Sequence, residues 1–313
     1  MLKIQLKNAS NDADKNKAKG ELLLHKCRGK KFYSKMKHVK SMTDCKVGGI
    51  VFDSIQNLPL PKIPVQEAFY LRQLWVNLFC INDVMKKSSK FYTYHEGIAR
   101  RGPNEVCSFL QDYIQNDLSP EVRELYVFSD GCAGQNKNNT VVRLLLSLVS
   151  SGRFDIIHRY FPVRGHSFLP CDVNFGITKR KMKNHDQVYT PKEYIADICN
   201  ASNDGHFHVK EVKSSDILDF KKWWPQYFKA STTESGVRSV RKVHWAVSTY
   251  KTLTYDTKQP GIVQVSEFTD GALQYAFKLQ KIAEGSLPKE KAYEDTGVSI
   301  NIKKMQDIEK LMQ

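Results

Sequence analysis

Three aspartates stand where hydrophobic runs end, and carboxylates placed this way can do chemistry. Asp53 closes the run from Val47, and Asp130 follows Leu125-Tyr126-Val127-Phe128. Asp172 follows Phe154 to Val163, a segment that alternates toward a strand, and stands near the start of the next helix. Short apolar runs bounded by turn residues read as strands. The carboxyl ends of strands in open α/β sheets are where ligands and metals gather. Carboxylates on adjacent elements can hold two divalent ions about 3.5–4 Å apart, the arrangement for in-line phosphodiester chemistry. One ion then activates a water or a 3′-hydroxyl and the other stabilises the leaving oxygen. Mg2+ (or Mn2+) is the expected ion, because hard cations choose oxygen ligands and water.

The densest string is SDGCAGQNKN, Ser129 to Asn138. Gly131 and Gly134 are expected to let the backbone turn close to Asp130, although Asp-Gly is also an ordinary turn dipeptide. Gln135, Asn136 and Asn138 suit water or phosphate, but amides in such loops more often satisfy backbone groups and cap helices. His166, in the segment Arg164 to Asp172, suits a proton carrier or an extra ligand; a turn-shaping role is equally open. Lys179, Arg180, Lys181 and Lys183 put four cations in five positions. Beside a metal site they would form a nucleic-acid phosphate track; elsewhere they are a solvated face.

The elements that must position these residues can be read from hydrophobic period. Val47 to Asp53, Phe69 to Ile81 and Lys90 to His95 read as three strands. Pro103 opens a helix whose Val106, Phe109, Leu110, Tyr113 and Ile114 form one apolar stripe, with Pro in the first turn and Glu105 favourably near the helix dipole. Asn138 or Asn139 is expected to cap a second, buried helix, Thr140 to Val149. The order strand, strand, strand, helix, strand, helix, strand, helix suggests one mixed sheet with helices on both faces. From about residue 205 the grain changes to short β-like pieces, Phe207 to Val212, Val237 to Ser248, Thr252 to Thr257 and Gly261 to Val265, around Trp223-Trp224. Adjacent tryptophans are read as a core plug rather than a stacking platform. We therefore expect a basic N-terminal arm (1–43), a central α/β domain (44–204), a smaller C-terminal α+β unit (205–285) and a charged tail (286–313).

The chain of 313 residues carries 48 Lys and Arg against 33 Asp and Glu, a formal charge of +15 that favours a polyanionic partner. Residues 1–40 hold twelve of those cations and three acids, so most of the excess lies in the arm. The first twenty residues read as loose and Glu21 to Val39 as a basic helix. A hydrophobic fraction of 41% fits a globular protein. Seven scattered cysteines with no Cys-x-x-Cys pair argue against a disulfide framework or a zinc finger. No run approaches a membrane span, and the N-terminus lacks a signal-peptide core, so a nuclear or cytoplasmic setting is expected.

Read together, VFDSIQNLPLPKIP, YLRQLWVNLFCIND, HEGIARRGPNEVCSFL, SDGCAGQNKNNTVVR and FPVRGHSFLPCDVNFGI resemble a transposon-derived family of metazoan proteins. The resemblance is to its ribonuclease H-like domain, of the DDE/DDD transposase type, and runs from about Asp44 to Lys183. It implies a ribonuclease H-like mixed sheet with flanking helices, and DNA as the partner. It also implies metal-dependent phosphodiester cleavage or strand transfer, with Asp53, Asp130 and Asp172 as the acids. Asp186 and Glu193 are alternatives for the third. No zinc-finger or helix-turn-helix module precedes the domain, and Val173 is apolar where a polar residue is expected. Both departures suit the alternative of a domesticated, non-catalytic nucleic-acid-binding or interaction protein. Homo-oligomerisation is left open.

Overall fold

The computed structural model describes residues 2–8, 11–55, 57–202, 205–234, 243–269, 271, 274–282 and 287–312. The N-terminal arm is helical nearly throughout: α1 (Leu2–Lys7) is followed by α2 (Asp12–Lys40). Helix α2 begins earlier than its apolar pattern suggests because Asn11 caps it, its side chain accepting from the Asp14 backbone N–H at 2.8 Å. The strands β1 (Val47–Ser54), β2 (Leu58–Leu60), β3 (Leu74–Asp83) and β4 (Ser88–His95) follow. Strand β3 starts later than expected, because Gln66 to Phe69 form a 3-10 turn. Proline-containing β2 is a short strand that pairs with β3 beyond the end of β1, a position that tolerates Pro59.

Helix α3 (Pro103–Asn116), β5 (Glu124–Ser129), α4 (Asn139–Ser150) and β6 (Ile156–Tyr160) come next. Asn138 caps α4, its Oδ1 accepting from Val141 N–H at 3.1 Å. Then come α5 (Pro170–Met182), α6 (Pro191–Cys199), β7 (Phe207–Glu211), α7 (Phe220–Tyr227), β8 (Thr252–Asp256), β9 (Ile262–Ser266), β10 (Tyr275–Lys278) and α8 (Ile302–Met312).

The described strands form one mixed sheet in the order β10-β9-β8-β6-β5-β1-β3-β4-β7. Strand β5 lies parallel to both β1 and β6, while β3 is antiparallel to β1 and to β4. The architecture is α/β with flanking helices, consistent with a ribonuclease H-like fold. The C-terminal α+β stretch is hydrogen-bonded into this sheet: β7 extends one edge beside β4, and β8, β9 and β10 extend the other beside β6. Trp223 is buried, and Trp224 and Trp245 lie against the Arg143 guanidinium at 5.1 and 5.4 Å. Of the expected strand Val237 to Ser248, residues 237–242 lie outside the described residues, and 243–248 form no strand beyond one bridge at His244.

Side chains alternate along the strands between two cores. Ile50, Phe52, Leu125 and Val127 face α3, α4 and α7. Val51, Tyr126 and Phe128 face the other way, toward α2, α5 and α6. No described helix is long and apolar enough to cross a membrane.

Candidate active site

The register of β1 against β5 decides the site. Phe52 is level with Ser129 in this parallel pair, so the next residues, Asp53 and Asp130, emerge side by side at the carboxyl ends of neighbouring strands. They share the parity of Val51 and Phe128, so both belong to the α2/α5 face. A single amide joins them: Asn136 Nδ2 donates to Asp130 Oδ1 at 2.7 Å and to Asp53 Oδ1 at 3.3 Å. The Ser54 N–H donates to Asp53 Oδ1 at 2.8 Å, and the Cys132 N–H to Asp130 Oδ1 at 3.0 Å.

The loop that presents Asn136 is a tight turn, in which the N–H groups of Asn136 and Lys137 both donate to the Cys132 carbonyl at 2.8 Å. It needs no glycine. Neither Gly131 nor Gly134 has a positive φ, and a Cβ on either would meet nothing within 4 Å. The turn is pinned from beneath by Arg159, which is fully buried and donates to the Asn136 carbonyl. Its guanidinium lies against the Phe161 and Phe52 rings at 4.7 and 5.5 Å. Burial lowers the Arg159 pKa to about 10, still above neutral pH, so a buried cation sits under the acids. Lys137 is also buried and donates to the Ser248 carbonyl at 2.7 Å; burial lowers its pKa to about 7.

Burial pushes the Asp53 carboxyl up to about 7, and the neighbouring Asp130 charge adds to the rise. The Ser54 hydrogen bond opposes it, Asp172 adds a smaller push, and Asn136 opposes it weakly. A carboxyl crowded by like charge and removed from water holds its proton more tightly. None of the groups that set this value is cationic. The donor set therefore suits a hard divalent cation, which oxygen ligands prefer and which would relieve the crowding. Among the described residues, however, no group of three or more His, Cys, Asp or Glu is arranged to hold a metal.

Asp172 is the third residue of α5, which is held to β1 by the Cys171 thiol donating to the Val51 carbonyl at 3.4 Å. Its Oδ2 accepts from the Leu169 N–H at 2.7 Å and so caps its own helix, while its charge still reaches Asp53. The alternative acids are placed elsewhere: Glu193 caps α6 with Thr190, and Asp186 is exposed in the preceding loop. His166 is turned to α2. Its ring lies 5.0 Å from that of His25, its carbonyl accepts from the Tyr33 hydroxyl at 3.0 Å, and a Cβ on Gly29 would come within 2.7 Å of its Nδ1. Gly29 is thus what lets this loop lie on the helix. No hydrogen bond joins His166 to Asp53, Asp130 or Asp172 among the described residues. Lys179, Arg180 and Lys181 occupy the last turn of α5 and Lys183 follows it. At 1.5 Å rise per residue this is about 10 Å or more along the helix from Asp172. These cations sit where the helix dipole favours them, rather than beside the acids.

Asn136 is the site residue whose type in the sequence points more to loop support. Arg159 leaves one signal, a cation at an inward position of a strand. A family model described as Domain of unknown function (DUF7869) matches residues 80–258, more than half of the chain, and the chain belongs to that family. No curated protein and no solved structure matches it. The matched span includes Asp130, Asn136, Arg159 and Asp172; Asp53 and all of α2 lie before it.

Proposed function

We propose that this DUF7869 member is a transposase-derived protein that cleaves or transfers DNA phosphodiester bonds with the help of Mg2+ or Mn2+. The observation that carries this reading is the pairing of Asp53 and Asp130 through one Asn136 amide at the carboxyl ends of parallel strands. Asp53 and Asp130 would hold the metal, with Asp172 as the third acid. A divalent ion bound there supplies Lewis acidity toward a phosphoryl oxygen and a water of lowered pKa. The chain's own part is positioning. Asn136 fixes the two carboxylates relative to each other, and Arg159 fixes the turn that holds Asn136.

The test is nicking of supercoiled plasmid. Wild-type protein should nick it with Mg2+ and stop in EDTA. Asp130→Asn should lower the rate by at least about a hundredfold, in line with the several kcal/mol a metal contributes to such a transition state. Equal nicking by the variant, or nicking that persists in EDTA, would sink this reading. A second reading, a domesticated nucleic-acid-binding or interaction protein without catalysis, is favoured by the engagement of Asp172 in its own helix cap. It expects DNA binding with no Mg2+ requirement and no effect of Asp130→Asn.

A further inference from the structure

Beside the acids, on the same face of the sheet, a groove of about 730 Å³ runs between α2 and the start of α5 to the β3–β4 turn. Its near end adjoins Asp172. Tyr33 lines it and feels the Asp172 charge, and Leu169, whose N–H Asp172 caps, forms part of its wall. Three lysines ring it: Lys37 and Lys40 from α2, and Lys87 from the turn. All three are exposed, and no described carboxylate pairs with any of them. Lys87 has φ 56, a left-handed conformation that lysine rarely adopts and glycine would suit better. A side chain kept at such a position motivates a functional hypothesis. The wall carries Phe168, 65% exposed, and Val173, 47% exposed. An exposed aromatic beside unpaired cations offers a stacking face next to positive charge.

We propose that this groove binds a single strand of nucleic acid, its phosphates on Lys37, Lys40 and Lys87 and an unpaired base on Phe168. Cations that track a backbone, together with an aromatic face for stacking, are the parts such sites use. The volume lies in the small-ligand range of roughly 300–1,000 Å³, room for a short stretch of one strand rather than a duplex. A peptide of Asp and Glu alone would use the lysines but has no flat ring to set on Phe168. Two of the three lysines belong to α2, which lies before the family match, so the groove depends on a part of this chain outside the matched span. This assignment deepens the catalytic reading by naming how substrate approaches it, yet it is tested apart from catalysis.

The test is fluorescence anisotropy of labelled oligodeoxythymidylate in EDTA. Converting Lys37, Lys40 and Lys87 together to Gln should weaken binding by roughly tenfold or more. The salt slope should fall by about 2, at about 0.7 for each phosphate deprived of its lysine. Converting Lys15, Lys17 and Lys19 removes the same charge from α2 about 30 Å away, and should change affinity far less. Phe168→Ala should cost roughly tenfold for the single strand and spare duplex binding. Equal losses from the two lysine sets, duplex bound as tightly as single strand, or displacement of the oligonucleotide by poly-glutamate at equal charge would each overturn the groove. Absent nicking with the groove result intact would overturn the catalytic reading alone.

Discussion

The two faces of the sheet are built to different ends. On the closed face, α4 is buried at every position from Thr140 to Val149, and α3 buries Val106, Phe109, Leu110, Tyr113 and Ile114 beside it. Even its cations are sealed in: Arg143 between Trp224 and Trp245, Arg159 between Phe52 and Phe161. On the open face, α2 buries only Ala18, Gly29, Phe32, Met36 and Val39 over 29 residues, and α5 only Cys171, Phe175, Thr178 and Met182. That face carries the paired acids and the basic groove. A fold of this kind can concentrate its stability on one side and leave the other free to bind, because each strand sends alternate side chains to each.

The contrast can be broken by mutation. The largest effect on stability is expected from Leu145→Ala, a fully buried residue of the closed face. It should cost about 2–5 kcal/mol in chemical denaturation, while leaving oligonucleotide affinity per folded molecule unchanged. A loss of binding would show that the faces are coupled. Next is Asp53→Asn on the open face, measured without metal. Asp53 holds its proton up to about pH 7 in the folded chain and to about pH 4 when unfolded. Between those values the folded state binds the extra proton, so stability falls as pH rises through this window. The amide should abolish that fall and raise neutral-pH stability by up to a few kcal/mol, at about 1.4 kcal/mol for each tenfold in proton affinity. A pH–stability profile identical to wild type would contradict the crowded-carboxyl picture. The smallest effect is Asn138→Ala, which removes the α4 cap and should cost about 0.5–2 kcal/mol. Thermal denaturation would measure it, and a larger loss would mean that the capping amide also supports the Asn136 turn.

Much of the central fold is legible in the amino-acid sequence. Short apolar runs mark β1 and β5, aromatic residues mark β4, and a single stripe marks α3; Pro103 and Asn138 mark helix starts close to those observed. Local chemistry suffices there, because capping and amphipathic burial are decided within a few residues. The extension of the sheet by β7 to β10 is not legible. Strands like these read alike whether they form their own sheet or join another, and the strands they join, β4 for β7 and β6 for β8, lie far along the chain. Helix α2 is legible only from Glu21, since its first two turns carry no apolar pattern and depend on the Asn11 cap.

For the site, the sequence by itself determined that Asp53 and Asp130 end strands, because each closes an apolar run, and Asp130 is followed by a glycine. Only the tertiary structure decided that β1 and β5 are parallel neighbours in a register that sets the two acids level, since strand pairing is a non-local choice. The same holds for Asn136. Its role depends on a turn closed over a buried Arg159 from another strand, and an asparagine in a loop reads the same whether it touches water or two carboxylates.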